Sequence, residues 1–569
     1  MVAGMATSVT LATSVAATPA VGLKAADGPV FGPYTSVFEA ERGARDLGPV
    51  PGNLELAVSL SLKVRDRPIL NDILAHSRRV SPARWANFFG PAPAQVNMAR
   101  RVLAREGVAT SWRPGQVALE VTAPAVSVQR ALGLSVHYFA GRNGTEFYAP
   151  LRAPAVPVDL RGTVTAVTGL TDYAELPTVV TNAIAGTEGI TPAQIAAFYD
   201  MGPLRRAGLD GSGETVMFPE TVVIPQSALN AFAAKFHLPA FHVTYLSDPA
   251  AWGAPAGRSS ADYSLAAAEE SLDLEVVHGL APGATEVVYE TNSLEPGLSN
   301  MFAAMIKQHP KGIISSSYNY DVCVEDPGYD GQAESQSAVF EAAAAVGTSV
   351  MQASGDRGAY ECVYEGEPII AGDLSVSAVD NSPYITDVGG TLVLFSATGA
   401  YYKEAAWGEP LDQWGGTGGF STVFARPSWQ QGPGLAGIDH RGVPDVSANA
   451  DPNSGWAIFA PAANGHPAEE AVGGTSGAAP CWAAVVALID EYLAQQHLPS
   501  VGFANPALYF FASHPKGLPA PAFHDITEGT NLYYPATLGW DAATGLGSPD
   551  VAHLADDFEW YYRTHQNGS

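Results

Sequence analysis

The chain is short of three things: cysteine, positive charge and long apolar runs. Its 569 residues include 3 Cys, too few for a disulfide framework, so a packed core must hold the fold. Lys and Arg number 29 against 57 Asp and Glu, for a formal net charge of −28. With so little to neutralise phosphates, nucleic acid is not expected as a partner. After residue 22 no run reaches the ~20 apolar residues of a membrane-spanning helix, so no membrane is expected either. A fourth scarcity is chemical. None of the 13 His stands in a His-Gly-Thr context, the nearest being His278-Gly279-Leu280. That argues against a hydrolase built on a Ser–His pair.

What is present points to a loop-rich globular protein: 47% of residues are hydrophobic, with 58 Gly and 43 Pro. A chain of this length exceeds one ordinary core, so at least two domains are expected. The charge is unevenly placed. Residues 1–175 hold 17 Lys+Arg and 13 Asp+Glu, whereas the remainder holds 12 and 44. The acidic surplus fits solubility and adaptation to acid equally well.

Residues 2–22 carry no charge and are rich in Ala, Val, Thr and Ser. They read as the apolar part of a secretion signal over residues 1–24, although the usual basic start is missing. Leu54–Val64 alternates as a strand does, and helical patterns follow at Pro68–Arg78 and Ala94–Arg105. A strand pattern at Gln116–Val121 leads into a helix at Ala125–Leu132, and Ser135–Leu151 reads as a hairpin turning at Asn143-Gly144. This order predicts a ferredoxin-like α+β domain over residues 25–172. Residues 173–190 lack periodicity and read as a linker. From 191 to 569, apolar strands alternate with helices, which predicts an α/β domain with a parallel sheet. Cys323 and Cys362 are candidates for one bridge, and Cys481, at the start of an apolar helix, reads as a buried thiol.

Three local patterns carry chemistry. Gly473–Pro480 (GGTSGAAP) surrounds Ser476 with small residues before an apolar helix, exposing a hydroxyl where negative charge is favoured. Glu269 and Asp273 stand four apart, so on a helix their carboxyls share a face and repel, which raises at least one pKa. Asp356 lies in Ser354-Gly355-Asp356-Arg357-Gly358 after an apolar strand, where open α/β sheets place ligands. Each has a plainer explanation when taken alone: an N-capping Ser, a solvated acidic face, a turn-forming Asp.

Taken together the motifs resemble the sedolisin family of serine-carboxyl peptidases. The resemblance rests on E-x-x-x-D followed by LAPGA, on S-G-D-x-G, and on SPYITDVGGT (382–391), GGFS (418–421) and GVPDVSANADPNSG (442–455). It continues through GGTSGAAP (473–480), FHDITEG (523–529) and GWDAATGLGSP (539–549), all in order along the chain. It implies a subtilisin-like parallel sheet flanked by helices. It assigns Ser476 as nucleophile, Glu269 as general base, Asp273 as the group that orients Glu269, and a protonated Asp356 as oxyanion donor. Glu220 would extend the carboxyl network. Tyr318 stands where the family commonly has Trp. One calcium ion is implied, held by the side chains of Asp525 and Asp541 and the backbone oxygens of Ile526, Thr537 and Gly539; Thr537 replaces a common Gly. The leading domain becomes an inhibitory propeptide removed by self-cleavage within 173–190, its docking aided by the charge asymmetry. The expected protein is a secreted, monomeric, acid-active endopeptidase acting on polypeptides. The alternatives are a tripeptidyl-peptidase of the same family, a neutral subtilisin-like peptidase using His278, and a catalytically silent relative.

Overall fold

The computed structural model describes residues 44–141, 146–152, 154–172, 189–254, 263–292, 296–317, 331–362, 374–377, 380–461 and 466–565. The expected signal segment, most of the linker, the Asn143-Gly144 turn, Tyr318 and Cys323 lie outside them.

The leading domain contains strands β1 (Arg45–Pro49), β2 (Glu55–Leu62), β3 (Thr110–Ser111), β4 (Ala118–Pro124), β5 (Val136–Ala140), β6 (Glu146–Pro150) and β7 (Val164–Thr168). An antiparallel sheet in the order β3-β4-β2-β7 is backed by helices α1 (Pro93–Ala104) and α2 (Ala125–Leu132), and a small sheet β1-β5-β6 lies beside it. The order is that of a split βαβ, as expected. β7 completes that order as its fourth strand, and β1 is an addition that pairs with β5; neither carries a distinct strand pattern in the sequence. Along β2, Leu56, Val58, Leu60 and Leu62 face the domain's own core. Ser59 and Ser61 are buried as well, because a second domain covers the other face: Ser61 Oγ lies 2.8 Å from Ser335 Oγ.

That second domain is built on strands β8 (Thr215–Glu220), β9 (Thr244–Ser247), β10 (Thr285–Glu290), β11 (Ile313–Ser316), β12 (Ser349–Ala353), β13 (Thr386–Phe395) and β14 (Tyr401–Ala406), with β15 (Val446–Asn449) beside β13. The order is β14-β13-β12-β11-β8-β10-β9, parallel throughout except at β14. Successive strand residues enter different cores: Val216 and Phe218 one, Met217 the other; Ile313 one, Ile314 the other. Both faces are therefore covered, as buried parallel sheets require. Helices α3 (Tyr263–Leu280) and α6 (Thr475–Gln495) pack on one face, α4 (Gly297–Gln308) and α5 (Gln332–Val346) on the other.

Helix α6 begins at Thr475, within the small-residue run that the sequence places ahead of the apolar helix, so Pro480 lies inside it. It is long and apolar enough to cross a membrane, but 89% of its most apolar stretch is buried in this fold. Burial between sheet and neighbouring helices accounts for its composition.

The leading domain seats Leu70, Ile73, Leu74, Trp85 and Phe89 in the same cluster as Met301, Phe302, Met305 and Phe340 of α4 and α5. Among the described residues one Arg–carboxylate bridge crosses this contact, Arg67 to Glu341 at 2.9 Å, with the Tyr384 hydroxyl donating to the same carboxyl. The contact is chiefly apolar, and the bridge joins a half-exposed Arg67 to a fully buried Glu341. The linker's end already belongs to the second domain: Ile190 N donates to Gly455 O, and Ile190 O accepts from Ala457 N. Cys362 is disulfide-bonded, and Cys481 is a buried free thiol.

Candidate active site

The C-terminal ends of β8, β11 and β12 converge on the N-terminus of α6, and the sequence-selected residues meet there. Every residue of α3 from Ala267 to Leu280 is buried, including Glu269, Glu270, Asp273 and Glu275. Four carboxyls on a helix enclosed on all sides are costly unless they hold protons. Burial, the neighbouring Asp273 and the nearby Asp356 push Glu269 well above the usual carboxylate range, against the pull of the Ser476 and Ser317 hydroxyls. Those hydroxyls approach without completing a hydrogen bond, since neither Glu269 oxygen has a partner. Free hydrolases often show such loose contacts, which tighten when substrate arrives.

Asp273 Oδ1 accepts 2.6 Å from Ser317 Oγ. Burial lifts its pKa to about 7, opposed by Ser317 and by Glu220 at the end of β8. Glu220 thus joins the carboxyl cluster, as expected. Glu270, which carries no signal in the sequence, joins it too. Burial raises it to about 8, offset by the Tyr245 hydroxyl, which donates at 2.7 Å.

Ser476 is the second residue of α6. Gly474 before it has φ of +117° and no room for a Cβ, which would meet Asp356 Oδ2 at 2.9 Å. The glycine lets the turn run against Asp356. Asp356 Oδ1 accepts from Thr475 N at 2.8 Å and Thr475 Oγ1 at 2.9 Å. Its backbone carbonyl accepts from Gly415 N at 2.8 Å. The half-buried carboxyl is therefore held beside the nucleophile's helix start with Oδ1 occupied. The site brings Glu269, Asp273, Asp356 and Ser476 together from three separate stretches of chain. Thr475 and Ser317 escape sequence reading, because a Thr or Ser in a small-residue run carries no signal of its own.

His278 takes no part. Its ring stacks on Phe241 at 3.7 Å, Nε2 lies 2.9 Å from Pro239 O, and Nδ1 lies 3.5 Å from Glu286. Its identity is explained by this buried packing.

The leading domain matches the pro-kumamolisin activation domain over residues 42–173, and residues 263–500 match the subtilase family. Kumamolisin of Bacillus sp. (strain MN-32) is 30% identical over 460 residues, covering 75% of this chain and 76% of that protein. The chain belongs to the sedolisin family. Sedolisin of Pseudomonas sp. (strain 101) is 27% identical over 561 residues, covering 91% of this chain and 90% of the other. A solved structure of Pseudomonas sedolisin, a serine-carboxyl proteinase complexed with two molecules of pseudo-iodotyrostatin, superposes with a TM-score of 0.55 at 28% identity. It covers 68% of this chain and all of that one. The chain is accordingly a peptidase with a subtilisin-like fold and an N-terminal pro-domain.

Among the described residues no three His, Cys, Asp or Glu side chains are placed to hold a metal. The implied calcium set needs only two carboxylates, and the structure brings both to one loop. Asp541 Oδ2 accepts from Thr537 N at 2.7 Å, and Asp525 Oδ2 accepts from Gly539 N at 3.0 Å. Asp541 Oδ1 accepts from Ala543 N and Thr544 N, both at 2.9 Å. Among the described residues the carbonyls of Ile526, Thr537 and Gly539 accept no hydrogen bond. Two carboxylates beside three uncommitted carbonyl oxygens suit a hard cation.

Proposed function

We propose that this peptidase is an acid-active serine-carboxyl endopeptidase, secreted as a self-processing proenzyme. The observation that carries the reading is the buried Glu269–Asp273 pair facing Ser476, with no histidine beside it. Glu269 removes the Ser476 proton as Oγ attacks the peptide carbonyl; Asp273 shares and orients that proton. Neutral Asp356 donates to the oxyanion through Oδ2, the oxygen facing Gly474. The amine leaves with the proton held by Glu269, and water, deprotonated by the same carboxylate, hydrolyses the acyl-enzyme. In acid an imidazole is already protonated and cannot serve as base, whereas a coupled carboxyl pair that shares one proton keeps an oxygen able to accept another.

The test is a pH–rate profile of peptide hydrolysis, expected to peak in acid. A peak at or above neutrality would favour the subtilisin-like alternative. Asp356→Ala is expected to lower kcat by about 10²–10³-fold with little change in KM, read by steady-state kinetics.

Relatives include enzymes named tripeptidyl-peptidases, so mode of attack is tested separately. An endopeptidase cuts an N-acetylated peptide internally, while a tripeptidyl-peptidase needs the free amino end.

The pro-domain acts as inhibitor, seated by its apolar contact on α4 and α5. Calcium would be held by Asp525, Asp541 and the carbonyls of Ile526, Thr537 and Gly539, where a divalent charge ties the C-terminal loop. Chelation is expected to lower the melting temperature, and calcium to restore it, for wild type and not for Asp541→Ala.

A further inference from the structure

Pro480 lies inside α6 at the position whose N–H would otherwise bond the Ser476 carbonyl, one helical turn back. Proline has no N–H, so the nucleophile's carbonyl lacks its usual helical donor, and a side chain is placed to donate instead. Ser317, 4% exposed at the end of β11, lies 3.2 Å from that carbonyl through Oγ, and 2.6 Å from Asp273 Oδ1. A hydroxyl has one hydrogen and cannot donate to both at full strength. When Asp273 is ionised, Ser317 donates to it and the Ser476 carbonyl loses the Ser317 hydrogen bond. When Asp273 carries a proton on Oδ1, that O–H donates to Ser317 Oγ, and Ser317 donates to Ser476.

We propose that Ser317 is a positioning residue that makes the backbone of Ser476 ordered when Asp273 is protonated and loose when it is not. This rests on the reading of Ser476 as nucleophile and Asp273 as proton-sharing partner, and it adds a reason for activity in acid beyond the charge of Glu269. The groups acting on Asp273 and its partners are Glu269 and Glu270 on α3 and Glu220 on β8, with Asp356 after β12 reaching Glu269. The transition at Asp273 therefore belongs to this set of carboxyls, consistent with its elevated pKa of about 7.

The test uses the full chain, matured in acid and then assayed for kcat from pH 3 to 7.5. Ser317→Ala is expected to reduce kcat about tenfold at low pH, the worth of one hydrogen bond in the right geometry. KM should stay nearly unchanged, and the deficit should shrink towards parity near pH 7. Ser317→Cys, a near-isosteric weak donor, should behave alike if the Ala chain folds poorly, and Ser317→Thr should retain activity. Pro480→Ala supplies the missing N–H, so the Ser317→Ala/Pro480→Ala pair should recover to within about threefold of wild type. A deficit constant across pH, or a double variant no better than Ser317→Ala, overturns the proposal. Loss of the parent reading looks different: Ser476→Ala would then remain active, whatever Ser317 does.

Discussion

Glu269→Gln is expected to lower kcat by about 10³-fold or more while leaving KM and the fold intact. Gln keeps the shape but cannot accept the Ser476 proton, and general-base catalysis contributes typically about 10²–10⁴-fold. Among the described residues the two nearest alternatives are already committed. Asp273 is engaged with Ser317 and Glu220, and His278 is packed against Phe241. Asp273→Asn is expected to cost less, because it disturbs the proton's sharing without removing the base. The fold is expected to tolerate the change, because a neutral amide of the same shape is no harder to bury than the carboxyl it replaces. Steady-state kinetics on chains matured by a trace of wild type, with melting curves alongside, separate these cases. A Glu269→Gln enzyme within tenfold of wild type would remove Glu269 from its role.

The second large effect concerns stability. Glu361, Glu404 and Asp273 are each raised to about 7, and Glu270 and Asp490 to about 8, all by burial. In the unfolded chain such groups titrate near pH 4. Each therefore binds its proton more tightly when folded. Its contribution to stability is complete below about pH 4 and is lost as pH rises through 7 to 8. Every tenfold gain in a buried group's proton affinity on folding is worth about 1.4 kcal/mol, so five groups together imply a decline on the order of several kcal/mol or more. Melting of the Ser476→Ala chain, which avoids self-digestion, should show its highest midpoint near pH 4 and a steep fall by pH 8. A flat or rising midpoint would show that these carboxyls ionise inside the fold at little cost. The same burial explains how so acidic a chain folds: the surplus is partly neutral where it is enclosed.

Much of this is legible in the sequence, for identifiable reasons. The period-2 pattern of β2 and the strand–helix alternation after residue 191 mark both domain classes, because burial on one face or two leaves a repeat that composition cannot hide. Glu269 and Asp273 are readable as a pair because a helix fixes which residues share a face. The start of α6 is misleading, since Pro480 marks a helix start in most contexts and here stands inside one. Ser317 and Thr475 are invisible: each acts through an atom from a distant segment, and no local spacing encodes that meeting. Glu270 is hidden for a related reason. A second Glu beside the first looks like more solvated surface until the helix is seen to be enclosed.

At the centre of the proposed chemistry, Ser476, activated by carboxyls, cuts peptide bonds in acid, the chain's own linker first. The most direct measurement is to acidify full-length wild type and Ser476→Ala in parallel and follow their masses. Wild type is expected to lose its leading domain through a cut within residues 173–190, and the Ala chain to remain full length. Shortening of both alike, with no other protease present, would contradict the account.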